Sequence, residues 1–269
     1  MKSFSKGEVK SELIKIREQG FIPNRREGNH GGIGNTLEDL LGIEENNLPI
    51  PNAAEWELKC QKIGTSSLTT LFHVEPSPTA MRLVSSQLLP FYGWKHEKAG
   101  VLYPENEMSF RQTINSLGRS DRGFQVVVDE EQQKIMISFD ANSVSEKHSK
   151  WLQSVKTRIG LGELNPQPYW GFNDLFHKAG AKLLNCFYVR AEVKKVKGQD
   201  FYHYKEILML KDFSFTKFLI GIKEGYVLVD FDARTGHNHG TKFRLRQNYF
   251  PKLYDYVENI EPVQLGTKN

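Results

Sequence analysis

Two hydrophobic periods alternate along this chain, so its fold must combine sheets with helices. Val9, Leu13 and Ile16 recur at helical spacing, and Gly20 closes that segment after Gln19. Trp56-Glu57-Leu58-Lys59-Cys60 instead alternates every second residue, as a half-buried strand does. Further strands are expected from Ser67 to Val74 and, as a hairpin around Asp129-Glu130-Glu131-Gln132, from Phe124 to Val128 and Lys134 to Phe139. The pattern also predicts strands from Phe187 to Val196 and Phe201 to Leu208, joined by a Lys197-Gly198-Gln199-Asp200 turn, and from Tyr226 to Asp232 and Thr241 to Leu245. Helices are expected from Trp170 to Leu184 and Phe213 to Ile222. A short helix from Leu37 to Leu41 would be capped by Thr36, with Asp39 three residues later, and stopped by Gly42. Ser85 to Met108, rich in Pro, Gly and aromatics, reads as irregular. No repeat or low-complexity linker interrupts the chain, so the expectation is one α/β domain with a central mixed sheet.

Charge narrows the function classes through its distribution. The 36 basic and 32 acidic residues leave a net charge of only +4. Glu38, Asp39, Glu44, Glu45, Glu55 and Glu57 crowd one stretch, whereas the second half carries Lys194-Lys195-Val196-Lys197 and Lys242-Phe243-Arg244-Leu245-Arg246. An acidic centre among basic segments suits an enzyme that holds metal ions and a polyanion together. The Lys194 cluster alone reads more simply as solvated surface. No apolar run approaches the ~20 residues that span a bilayer, and the polar start gives no signal peptide, so no membrane contact is expected. Cys60 and Cys186 read as buried free thiols of a reducing cytoplasm.

The tripeptide Glu57-Leu58-Lys59 carries the most chemistry. Alternation sends Glu57 and Lys59 to the same face of a strand. Phosphodiester hydrolysis needs a metal to neutralise developing charge and activate water, and Mg²⁺ prefers carboxylate and water oxygens. A carboxylate with a lysine two residues on supplies a ligand and a cation beside the attacked phosphate. Alone the triplet is weak, because exposed strands often carry such ion pairs at little energetic value. Pro51-Asn52 lies just upstream, and Glu38 on the preceding helix is placed to reach the same site.

These residues belong to a longer series. Gly28-Asn29, Gly34-Asn35-Thr36-Leu37-Glu38-Asp39-Leu40-Leu41, Glu45-Asn46-Asn47-Leu48, Pro51-Asn52 and Glu57-Leu58-Lys59 follow in order. Ser66-Ser67-Leu68-Thr69-Thr70-Leu71-Phe72, Tyr169-Trp170-Gly171-Phe172 and the run from Thr235 to Arg244 complete it. The whole resembles the MvaI/BcnI restriction endonucleases, which are themselves similar to the mismatch-repair nuclease MutH. The resemblance implies a restriction-endonuclease-like PD-(D/E)xK core with two lobes around a DNA cleft. The catalytic lobe would span roughly residues 1–85 plus parts of the middle, and the recognition lobe roughly 86–250.

It also implies a monomeric, Mg²⁺-dependent type II enzyme of a prokaryotic cytoplasm. Such an enzyme cuts short, GC-rich duplex sites of CC(W/S)GG type and is accompanied by a DNA methyltransferase. By carry-over Glu57 is a metal ligand, Lys59 positions water and phosphate, and Glu38 supports the site. Asn52 stands where the family has a metal-binding aspartate. An amide oxygen can ligate a metal but brings no charge, so metal binding and water activation should weaken. Asn52 is then either an engineered inactivating substitution or a natural residue. If natural, Glu55 compensates or the protein only binds DNA. A nicking enzyme of MutH type that needs an activating partner is a further alternative.

The remaining candidates concern DNA. His237-Asn238-His239 would suggest a metal site in isolation, but no third ligand is near in sequence. In the family pattern this loop, with Thr241, Lys242 and Arg244, looks like a base-reading element, since His, Asn and Arg hydrogen-bond to base edges. A structural hairpin with solvated histidines is the plainer alternative. His73, after the second strand, is a candidate for bases or phosphate, or a structural histidine. Arg111 and Gln112 have base-reading chemistry in a long irregular segment. Asn24-Arg25-Arg26 and His30 are candidate phosphate contacts. Phe201-Tyr202-His203-Tyr204 reads as strand rather than stacking platform.

Overall fold

The computed structural model describes residues 6–26, 32–43 and 56–261. In chain order its elements are α1 (Lys6–Glu18), β1 (Ile22–Pro23), α2 (Gly32–Leu41), β2 (Glu57–Lys62), β3 (Leu68–His73), α3 (Leu89–Tyr92), β4 (Trp94–Lys95) and β5 (Met108–Ile114). There follow β6 (Arg122–Asp129), β7 (Lys134–Val144), α4 (Ser149–Arg158), β8 (Tyr169–Gly171), α5 (Phe172–Leu183), β9 (Asn185–Val196) and β10 (Gln199–Phe213). The last are α6 (Phe215–Lys223), β11 (Val227–Arg234), β12 (His237–Asn238), β13 (Lys242–Arg246) and β14 (Tyr254–Asn259). No described helix is long and apolar enough to cross a membrane.

The chain divides into two compact units. The first comprises residues 1–67, 179–215 and 247–269, and the second residues 68–178 and 216–246.

The first unit is built on the sheet β1-β10-β9-β2, with β14 also paired to β10. β2 runs parallel to β9, with Glu57 opposite Cys186 and Lys59 opposite Tyr188. The other pairings are antiparallel, which makes the sheet mixed. One face is covered by α1 and α2. Val9, Leu13 and Ile16 of α1 and Leu37 and Leu41 of α2 pack with Leu58, Phe187, Val189, Ala191, Tyr202 and Tyr204. Burying each of these large side chains is worth roughly 1.5–3 kcal/mol. Because Leu58 is committed to that core, alternation sends Glu57 and Lys59 to the opposite face.

Helix α2 begins at Gly32, earlier than the sequence pattern predicts, so Thr36 lies inside it and is not its cap. The Thr36 hydroxyl instead bonds to Asn24 Oδ1 at 3.2 Å and accepts the Arg25 N–H at 3.2 Å, pinning the preceding loop. Gly32 is required for this approach: a Cβ there would lie 2.8 Å from the Tyr202 hydroxyl and 3.0 Å from the Asn24 amide.

The second unit holds an antiparallel sheet, β3-β13-β11-β5-β4 with β12 on β11, and a smaller sheet β6-β7-β8. Phe72, Phe243, Phe231 and Phe110 line the buried face of the larger sheet, with Phe72–Phe243 and Phe110–Phe231 centroids both 5.3 Å apart. The start of the helix expected from Trp170 is strand β8, and Trp170 is buried with its indole N–H on the Val74 carbonyl at 3.2 Å. Several elements, β14 and the short β1, α3, β4 and β12 among them, had no forerunner in the pattern, and two of the longer ones show why. One is α4, and the other is β5, whose alternation of Met108, Phe110 and Ile114 is broken by Gln112 on the core face.

Candidate active site and nucleic-acid interface

In the first unit Glu57 begins β2 with a relative exposure of only 2%. Lys59, on the same face, places Nζ 2.9 Å from Glu57 Oε1. Lys182, in the last turn of α5, places Nζ 3.0 Å from Oε2. Burying a lone carboxylate costs several kcal/mol, and two ammonium groups offset that cost through Coulomb attraction in a poorly solvated setting. Both lysines keep a rim of exposure, 18% for Lys59 and 19% for Lys182.

Behind the carboxylate the ground is neutral. Burial, and next the Glu57 charge, push the Cys186 thiol far above its ordinary range. Burial, then the Cys186 and Glu57 charges, do the same to the Tyr254 phenol. Glu57 Oε2 makes no hydrogen bond among the described residues, because Lys182 is close but not aligned to donate. A buried anionic oxygen with an unused lone pair fits one ligand position of a hard cation such as Mg²⁺. No group of three or more His, Cys, Asp or Glu residues suited to a metal occurs among the described residues. Asn52 and Glu55 lie outside the described residues.

Glu38 sits half-buried on α2. Its charge acts on Cys60, whose thiol is pushed far up first by burial and further by Glu38. Leu58 and Cys60 pack toward the helix-covered face, opposite to Glu57. Arg26, expected at phosphates, is bound to Asp39 through a two-pronged contact of 3.0 and 2.6 Å. That hydrogen bond holds the Asp39 carboxyl below its ordinary value. His30 lies outside the described residues. Lys182 was not visible in the sequence, where it is one more basic residue at the end of an amphipathic helix.

In the second unit a charged layer covers the face of the larger sheet opposite the phenylalanines. Asp230 pairs with Lys242 across β11 and β13 and with Thr113 across β11 and β5. Asp232 lies opposite Arg111. Arg244 reaches Asp230 Oδ2 at 2.9 Å, and the Thr113 hydroxyl donates to Oδ1 at 2.7 Å. A second Arg244 nitrogen donates to the Leu68 carbonyl at 2.9 Å. Lys242 donates to Asp232 Oδ2 at 3.0 Å, and Arg111 Nε lies 2.7 Å from Oδ1. Burial would raise the Asp232 carboxyl, but the Lys242 hydrogen bond and the charges of Lys242, Arg111 and His239 outweigh it, so the net shift is downward. The two aspartates were not singled out in the sequence, although their period-two spacing within an apolar strand marks them.

This sheet brings some expected residues together and separates others. His73 is exposed and lies opposite Lys242. His237 and His239 are exposed, with rings nearly parallel at 6.1 Å. Asn238 Oδ1 accepts the Gly240 N–H at 2.9 Å, closing a turn in which Gly240 has φ +84°. Thr241 is fully buried, its N–H donating to Glu75 at 2.8 Å, so it anchors the loop. Arg111 is more than half exposed. Its neighbour Gln112 alternates to the core side, where its carbonyl accepts the Ser120 hydroxyl at 3.2 Å and its amide nitrogen stays unbonded.

Comparison with known proteins adds family to this geometry. The chain's fold matches the solved structure described as a restriction endonuclease MvaI–cognate DNA substrate complex. That match has 24% identity and a TM-score of 0.76, over 96% of this chain and 100% of that one. MvaI in the absence of DNA matches at 24% identity and a TM-score of 0.54, over 97% and 100% of the two chains. At this identity the likeness establishes the fold: a mixed α/β restriction-endonuclease architecture. Among curated proteins none matches. The sequence pattern that defines the MvaI/BcnI restriction endonuclease family matches residues 10–254, nearly the whole chain, and the protein belongs to that family.

Proposed function

We propose that the chain binds duplex DNA at a short GC-rich site of CC(W/S)GG type, and that the face bearing Glu57 is its phosphodiester-hydrolysing centre. The observation that carries this reading is a buried carboxylate with an unbonded oxygen, flanked by Lys59 and Lys182, in a member of a restriction endonuclease family. Glu57, with the residue at 52, would hold Mg²⁺, and Glu38 supports the site from α2. A bound Mg²⁺ supplies charge neutralisation at the scissile phosphate and a more acidic water. Lys59 orients the phosphate and the incoming water while its contact holds the Glu57 carboxylate in place. The buried setting strengthens each of these interactions relative to water.

Recognition is assigned to the charged sheet face of the second unit. Arg111, Lys242 and Arg244 have the donors that guanine O6 and N7 accept, and Asp230 and Asp232 have the acceptors that cytosine N4 satisfies. His73, His237, Asn238 and His239 supply further exposed polar groups. The protein acts as a monomer in a prokaryotic cytoplasm beside a companion methyltransferase.

Asn52 makes this sequence an inactivated form of such an enzyme, because a neutral amide stands where a charged ligand is needed. The same residue favours a second reading, a DNA-binding protein that has lost catalysis. Parent and Asn52→Asp proteins incubated with unmethylated plasmid and Mg²⁺ separate the two. Discrete fragments from Asn52→Asp alone, abolished by EDTA, support the nuclease and reveal its site through the fragment ends. Binding by both proteins with cleavage by neither supports the second reading.

A further inference from the structure

We propose that Lys182 is the resident cation at Glu57 Oε2, and that a divalent metal must displace its ammonium group to bind there. This inference rests on the nuclease reading of the Glu57 site. The contact is specific: Lys182 Nζ lies 3.0 Å from Oε2, while Lys59 serves Oε1 at 2.9 Å. The two lysines thus take the two oxygens of one carboxylate. A lysine at the end of a helix is favoured there by the helix dipole alone, with its side chain in water. Lys182 is instead four-fifths buried and directed at the one carboxylate oxygen that has no hydrogen bond. An ammonium ion and a divalent ion at the same oxygen would repel each other, so occupancy by one would disfavour the other. Once released from Glu57, an ammonium group at this face becomes available to a DNA phosphate. Metal binding and phosphate binding are then linked through one side chain. Lys182 is in this sense a positioning residue, which holds the carboxylate in place until metal and phosphate arrive.

The test compares the parent with Lys182→Met and Lys182→Arg. Mn²⁺ affinity of the DNA-free proteins is measured by electron paramagnetic resonance. Lys182→Met should bind Mn²⁺ on the order of tenfold more tightly, and Lys182→Arg should match the parent. The second measurement is the salt dependence of duplex DNA binding in saturating Ca²⁺. The slope of log K against log salt should be shallower by about 0.9 in Lys182→Met and unchanged in Lys182→Arg, as one phosphate contact requires. Unchanged or weaker Mn²⁺ binding in Lys182→Met overturns the proposal, as does an unchanged slope. If Lys182→Arg follows Lys182→Met, packing rather than charge is responsible and the proposal is wrong. A parent that binds no duplex DNA removes the nuclease reading instead, while the Mn²⁺ measurement still decides the role of Lys182.

Discussion

The two units each carry carboxylates among basic residues on one face of a sheet, yet the two arrangements differ in how deeply the carboxylates lie. In the first unit a single carboxylate, Glu57, is almost wholly buried, and one of its oxygens has no hydrogen bond. In the second, Asp230 accepts from Thr113 and Arg244, and Asp232 accepts from Lys242 on Oδ2 while its Oδ1, beside Arg111, also has no hydrogen bond. A buried anion is costly in isolation, and that cost is largest at Glu57, the most deeply buried of the three carboxylates. An aspartate already bonded to its strand neighbours fixes cations in place and limits the entropy they lose on meeting DNA. On the proposed reading, the first face serves chemistry and the second the reading of DNA.

That contrast can be broken in several ways. The largest effect is expected at Glu57. In an Asn52→Asp background, Glu57→Gln should lower plasmid cleavage on the order of a thousandfold or more while duplex binding in EDTA persists. Equal loss of binding would mean that Glu57 is structural. Arg244→Ala should leave the cleaving face intact but reduce discrimination between the mapped site and a scrambled duplex by roughly ten- to a hundredfold, measured by competitive binding. Uniform weakening on both duplexes would make Arg244 a phosphate contact.

A smaller effect separates the neighbours on β5. Arg111→Ala should weaken binding to the mapped site, whereas Gln112→Leu should leave it unchanged. Gln112→Leu removes a buried, unbonded amide nitrogen but also the acceptor of the Ser120 hydroxyl, so the two effects should offset each other to within about 1 kcal/mol in denaturant unfolding. Loss of affinity in Gln112→Leu would contradict the facing described here.

The smallest effect is on pH. The Asp232 carboxyl is lowered on folding, so its contribution to stability is full above the unfolded value of about 3.9 and is lost as pH falls through the lower folded value. Acid titration of the parent should show this loss, and Asp232→Asn should remove it.

The legible parts of the structure are those fixed by neighbours in sequence. Leu58 between Glu57 and Lys59 sufficed to place the two charged residues on one face, because strand alternation is local. The sequence pattern also placed β9 and β11 close to their observed ranges, whereas β10 begins within the expected turn and runs past the expected end at Leu208 to Phe213. The start of α2 was missed because Gly32-Ile33-Gly34-Asn35 has poor helix propensity, which packing of Ile33 and the close approach at Gly32 override. β5 was missed because a polar residue, Gln112, stands in its apolar series. Lys182 could not be found by any local rule, since its contact with Glu57 joins distant parts of the chain. Asp230 and Asp232 were within reach, as paired acids in a buried strand, but only the sheet reveals which cations they hold.

The central claim is that Glu57 is the carboxylate of a metal-dependent phosphodiester-cleaving site. Its most direct test is plasmid cleavage in Mg²⁺ by Asn52→Asp and by the Asn52→Asp, Glu57→Gln double variant, each with an EDTA control. The account predicts discrete, EDTA-sensitive fragments from the first and intact plasmid from the second. Equal cleavage by both would contradict it.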